Sequence, residues 1–121
     1  MASIYHIAHA ADVERAARAG TYVPAAFAAE GFIHCSYAHQ VKQVADTYFA
    51  GHHELVLLEI DPSLLASRVI EENLTGAAEL FPHVYGPLPM SAVISIRELP
   101  CEPNGSFTLP CSVRAASASC A

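Results

Sequence analysis

The chain has 121 residues, 53% of them hydrophobic and 15% charged, and carries a formal charge of −6 from twelve acidic against six basic residues. This length and apolar content describe one domain that can bury about two-thirds of its unfolded surface, which excludes a disordered chain. Lys42 is the sole lysine, so the basic stripe of a nucleic-acid binder is missing, and the net charge opposes docking on an anionic membrane.

Ser3 to His9 predicts a first strand, and a helix follows from about Ala11 or Asp12 to Ala19, with Gly20 as its stop. Thr21-Tyr22-Val23 reads as an extended link. Pro24 is placed to begin a short helix through Glu30, ended by Gly31. Phe32 to Cys35 is predicted as the second strand. Ser36 is then placed to cap a helix from Tyr37 to about Ala50, with the apolar stripe Val41, Val44, Ala45, Tyr48 and Phe49. Gly51 and His52-His53 form its exit loop.

The nearly continuous apolar run from Glu54 to Ile60 suits a central strand covered on both faces. Asp61-Pro62-Ser63 starts a single helical turn, and Arg68 to Glu72 predicts a further strand. A loop from Asn73 to Glu79 leads into Phe81 to Tyr85, and Met90 to Leu99 alternates as a strand does. This order of elements predicts an α+β domain over residues 1–99, not a doubly wound parallel sheet. From Pro100 onward, three prolines, the Asn104-Gly105 turn signal and an Ala/Ser run read as a loosely attached tail over residues 100–121, with room for a short edge strand at Phe107 to Leu109.

No apolar stretch approaches the roughly 20 residues that span a bilayer. The first residues lack the basic and long apolar regions of a secretory signal, so a cytoplasmic protein is expected. Thiols stay reduced there, and the spacings of Cys35, Cys101, Cys111 and Cys120 match no zinc ribbon or redox pair.

Two stretches concentrate the chemistry: Gly31-Phe32-Ile33-His34-Cys35-Ser36, and Leu80 through Leu88 with its core Phe81-Pro82-His83-Val84-Tyr85. Each sets a histidine in an apolar, strand-like run, with a second hydrogen-bonding side chain two residues later. Side chains alternate along a strand, so His34 shares a face with Ser36, and His83 with Tyr85. A third strand histidine, His6, lies in Ile4-Tyr5-His6-Ile7. A buried histidine without partners costs about 1–3 kcal/mol, so three of them in apolar runs point to use.

Each position also has a plainer reading. Ser36 is a good N-cap whatever the function, though the helix beginning beyond it could offer N–H groups to an anion such as phosphate. Cys35 should point away from His34 and suits a small core residue better than a thiolate. His83 and Tyr85 would also fit an edge strand punctuated by Pro82 and Gly86. His52 and His53 read as solvated loop residues, and nothing local distinguishes Glu71, Glu72 and Glu79. Glycine-rich phosphate loops, Gly-x-Ser-x-Gly and His-Glu-x-x-His are all absent, which removes common nucleotide-binding, esterase and zinc-protease readings.

These motifs resemble a family of short, mostly bacterial proteins classed as a domain of unknown function, with Ile4-Tyr5-His6-Ile7, Gly31 to Ser36, Leu57 to Asp61 and Phe81 to Leu88 carrying the likeness. It covers residues 3 to about 99. That family is in turn similar to a compact ADP-ribosyltransferase fold, which implies a split, antiparallel-rich sheet with flanking helices. By resemblance His6 takes the place of a first-strand histidine that contacts NAD, and His34 to Ser36 lie beside the nicotinamide. Phe81 to Tyr85 occupies the strand that carries a key glutamate in those enzymes. Here that strand has His83 and Tyr85 and no glutamate, with Glu79 just before it.

The resemblance thus implies a cleft for NAD or a related ADP-ribosyl or phosphorylated nucleotide, with transfer or hydrolysis as its reaction. His34, His83 and Tyr85 are the candidate catalytic residues, and His6, Ser36 and Tyr22 the candidate ligand contacts. No metal, nucleic acid or membrane partner is expected. Two alternatives remain open: a metal-dependent hydrolase with a site made of His6, His34 and His83, and a non-enzymatic ligand-binding module.

Overall fold

The computed structural model describes residues 3–73 and 79–109. The chain enters through β1 (Ile4–His9) and turns into α1 (Ala10–Ala19), whose Val13 and Ala16 are buried and whose end is capped by Gly20 in the left-handed conformation. β2 (Thr21–Tyr22) follows, then α2 (Phe27–Glu30) and β3 (Ile33–His34). α3 (Val41–Tyr48) leads to β4 (Leu55–Ile60), and β5 (Arg68–Glu72) to β6 (Phe81–Tyr85), β7 (Leu88–Pro89) and β8 (Val93–Leu99).

Among the described residues all strand pairings are antiparallel. The strands form sheets in the orders β1-β4-β8, β3-β6-β5 and β2-β7. The α+β class and the antiparallel arrangement agree with the sequence reading. β4 is central and packed on both faces, as its nearly continuous apolar run requires. Leu58 and Ile60 pack with Ile4, Ala8, Val13, Ile33 and Val84 on one side. Leu55 and Leu57 pack with Tyr5, Ile7, Val41 and Ala45 on the other. Among the described residues no helix is long and apolar enough to cross a membrane.

Several local expectations are corrected. α2 begins at Phe27 and not at Pro24, because Pro24 first makes a turn whose carbonyl accepts from Phe27 N–H. β3 is only two residues long. Ser36 does not cap a helix: its backbone pairs with Tyr5 in both directions at 2.7 Å. A short 3-10 turn, Ala38–Gln40, then leads into α3, and Gln40 Oε1 accepts from Tyr37 N–H. Tyr48 lies at the end of the predicted stripe but is 62% exposed, while Val41 and Ala45 carry the packing. Met90–Ala92 forms a 3-10 turn before β8, whose Ile94 and Ile96 face outward.

Residues 100–109 hold to the domain instead of trailing from it. Phe107 is fully buried beside Val41, Ala45 and Leu57. Its N–H donates to Asp46 Oδ1, and its carbonyl accepts from Lys42 Nζ. Phe107 adds a single bridge to Cys101, not an edge strand. The remainder of the predicted tail, residues 110–121, lies outside the described residues, as does most of the loop between β5 and β6.

Candidate functional site

The cleft originates where β1 and β3 part company. Tyr5 and Ser36 exchange both backbone hydrogen bonds. Continuing that antiparallel ladder would pair Ile7 with His34. Instead His6 Nδ1 donates to the His34 carbonyl at 2.6 Å, taking the acceptor that Ile7 N–H would have used. Tyr5 N–H and C=O point away from β4, and orientation repeats every second residue on an antiparallel strand. The N–H and C=O of Ile7 therefore face the opening, without a partner among the described residues. The result is a cleft of about 660 Å³ along the free edge of β1, and its walls include His6, Ile7, Tyr22, His34, Ser36 and His83.

His6 is fixed on both nitrogens. With Nδ1–H committed to the carbonyl, Nε2 accepts from Tyr22 OH at 2.9 Å. Burial pulls its pKa down from 6.5 to about 4, so the ring is neutral. Tyr22 is itself buried, and its hydroxyl pKa is pushed upward, first by burial and then by Asp12 and Cys35. Both residues line the cleft, but their polar atoms bond to each other: they hold the walls. Cys35 turns away into the core, where burial raises its thiol pKa, in keeping with a packing residue.

His34 and His83 are direct partners across β3 and β6. Cys35 N–H donates to the Pro82 carbonyl, so by alternation His34–His83 is the non-hydrogen-bonded pair, with Cα atoms about 4.5 Å apart. Their rings meet edge to face with centroids 4.9 Å apart, and Phe32 stacks on His83 at 4.4 Å. Both residues line the same cleft. β6 is the central strand of its sheet and not an edge. Pro82 is tolerated there because β3 ends at His34, leaving little ladder for the missing N–H to break.

Glu72 is the residue that sequence reading left undistinguished. Its Oε1 accepts from His83 Nδ1–H at 3.0 Å and from Tyr85 OH. These bonds, Tyr85 first and His83 second, hold its carboxyl below the usual range, and the same bond raises the Tyr85 pKa. With Nδ1 protonated, His83 presents Nε2 as an acceptor. The side chain is 4% exposed, yet among the described residues no fully buried polar side-chain atom lacks a partner. Nε2 has no partner among the described residues, and His83 lines the cleft, so this nitrogen opens onto it. Across from it, His34 Nε2 donates to Glu30 Oε2 at 3.0 Å. Two imidazoles, each steered by a carboxylate, face one space.

The candidates separate accordingly. His34, His83 and Ser36 line the cleft, whereas Tyr85 does not and instead grips Glu72 from outside. Glu79 is occupied elsewhere, accepting from His39 and Gln40, so it does not supply the missing carboxylate. Among the described residues no group of three or more His, Cys, Asp or Glu is placed to hold a metal ion, and His6 has no nitrogen to spare for a three-histidine centre.

Fold and cleft define a small single-domain α+β protein whose sheet is parted by a histidine. The chain belongs to the family described as "Protein of unknown function (DUF952)", whose model matches residues 7–96. It is similar to protein CC0527 from Caulobacter crescentus, whose crystal structure gives a TM-score of 0.82 at 31% identity over 92% of this chain and 97% of that one. The solution NMR structure of CC0527 gives 0.75 at 34% identity, over 88% and 91% of the two chains. No match was found among curated proteins.

Proposed function

We propose that the cleft binds the nicotinamide–ribose end of NAD or a related ADP-ribosyl nucleotide and cleaves the bond between ribose and base. The observation that carries this reading is the Glu72–His83–Tyr85 cluster beside His34. It supplies a carboxylate to the strand pair where the resemblance to ADP-ribosyltransferases implies one, from β5 and not from β6. The parted β1 and β3 and the position of His6 support the same reading. So does the free N–H and C=O pair of Ile7, a donor and acceptor spaced for a primary carboxamide.

The chemistry suits these groups. As the C1′–N bond breaks, its electron pair leaves with the neutral nicotinamide and positive charge develops on the ribose. The Glu72 carboxylate opposes that charge in a cleft that limits water. A water or acceptor hydroxyl forms the new C1′–O bond and gives its proton to His83 Nε2, which Glu72 keeps in the accepting tautomer. His34 is placed to bond the ribose hydroxyls, and Ser36 presents its hydroxyl from the same wall.

Nicotinamide release from NAD, followed chromatographically, tests the reading. Wild type should release it, Glu72→Gln should be slower by about a hundredfold, and His83→Gln by at least about tenfold. Neither nicotinamide release nor any ligand-induced thermal shift with nicotinamide-containing nucleotides would reject the proposal.

A further inference from the structure

We infer that the ligand of this cleft is a phosphate-free, cationic pyridinium riboside, of which nicotinamide riboside is the simplest, and that the phosphates of a nucleotide weaken its binding. This rests on the N-ribosyl reading above and narrows its substrate class.

The fixed charges of the described lining are carboxylates: Asp12, Glu30 and Glu72, with no lysine or arginine. Asp12 is partly offset by Arg15, which pairs with it on exposed α1. Glu30 and Glu72 each hold a histidine. His6 is kept neutral by burial. A phosphate entering this space meets like charge without a compensating cation, and an isolated anion in a partly dehydrated cleft is costly. A pyridinium ring meets charge of opposite sign.

Of the backbone that leads from β3 into α3, three N–H groups that could have served a phosphate are already committed. An anion site at a helix start needs free N–H groups. Ser36 N–H is spent on the Tyr5 carbonyl, Tyr37 N–H on Gln40 Oε1, and Gln40 N–H on the Tyr37 carbonyl. The groups that do remain open favour neutral partners. His83 is 3% exposed and lines the cleft, its Nε2 without a partner among the described residues, and an acceptor nitrogen seeks a hydroxyl, not an anionic oxygen. Ile7 offers a donor and an acceptor together, which fits a carboxamide.

Calorimetric titration of wild type with nicotinamide riboside, nicotinamide mononucleotide and NAD, at low and at high ionic strength, tests this. The riboside should bind at least about tenfold more tightly than either phosphorylated compound, and its affinity should fall with salt as screening weakens the carboxylates. Ala25 is exposed on the cleft wall, so Ala25→Arg should raise the affinity for NAD and leave that for the riboside unchanged or lower. Equal or tighter binding of the mononucleotide or NAD by wild type overturns this inference and leaves the N-ribosyl reading standing. Failure of all three to bind overturns both. An Ala25→Arg variant with unaltered NAD affinity also counts against the charge argument.

Discussion

The sheets β1-β4-β8 and β3-β6-β5 each contain three antiparallel strands, but different chemistry fills them. The first has long strands and hydrocarbon on both faces of its centre, with Leu57, Leu58 and Ile60 essentially inaccessible. The second is short and two-sided: Ile33, Val84 and Val69 align on the core face, while His34 and His83 align on the other. A sheet that needs only one face for packing can devote the other to polar groups. The polar face still has to satisfy its own hydrogen bonds, and here Glu30 and Glu72 do so. Stability should therefore reside mainly in the first sheet and ligand chemistry in the second.

The largest expected effect falls on the first sheet's outer layer. Phe107 fills the space between α3 and the β4 face, so Phe107→Ala should lower stability by about 3–5 kcal/mol in a denaturant titration. Ligand affinity per folded molecule should be unchanged, since Phe107 is not part of the cleft wall. A loss below about 1 kcal/mol would mean that residues 100–109 are only loosely held.

His6 sits between the two sheets and couples them through pH. Its folded pKa is depressed from 6.5 to about 4. As pH falls below the unfolded value, the unfolded chain takes up a proton that the folded protein refuses. Stability is thus complete above pH 6.5 and declines as pH falls toward about 4, by up to about 3 kcal/mol from this group. His6→Gln should be less stable near neutrality but lack this decline. Parallel stability–pH curves for the two proteins across that window would show that His6 is not held neutral.

The third expectation reverses the first. Glu72→Gln keeps a side chain of the same shape at an accessible position, so its melting temperature should stay close to wild type while nicotinamide release collapses. A large fall in melting temperature with retained release would assign Glu72 to the fold alone.

The contrast between the sheets also explains what could be read from the amino acids. The run Leu55 to Ile60 announces a central strand because burial on both faces leaves Glu59 as its one polar position. Gly20 and Gly31 end their helices in the left-handed conformation, where glycine alone is unstrained. His34 and His83 stood out because histidine is conspicuous among apolar neighbours. Glu72 could not be chosen over Glu71, since that choice depends on the β5–β6 register, which no compact turn signal specifies. Ser36 misled because N-capping and bridge pairing make similar local demands, and tertiary pairing with Tyr5 decided between them. The parting of β1 from β3 depends on a side chain replacing a backbone donor, which leaves no periodic trace.

The smallest effect, and the sharpest test of the second sheet, concerns Tyr85. Its hydroxyl bonds Glu72 from outside the cleft, and this bond is the first cause of the lowered Glu72 pKa. Tyr85→Phe removes the bond and leaves the ring, and Tyr85 is exposed enough that folding should hardly change. Without that donor the carboxyl becomes a weaker acid, so its pKa moves up toward the ordinary glutamate value. If the ionised carboxylate is what opposes ribosyl charge, the acid limb of the release profile must move to higher pH, with the rate on the plateau little altered. His83 Nδ1–H still donates to Glu72, so the shift should be partial and not complete. A lower plateau with an unmoved acid limb would instead place the hydroxyl of Tyr85, and not the charge of Glu72, in contact with the ligand.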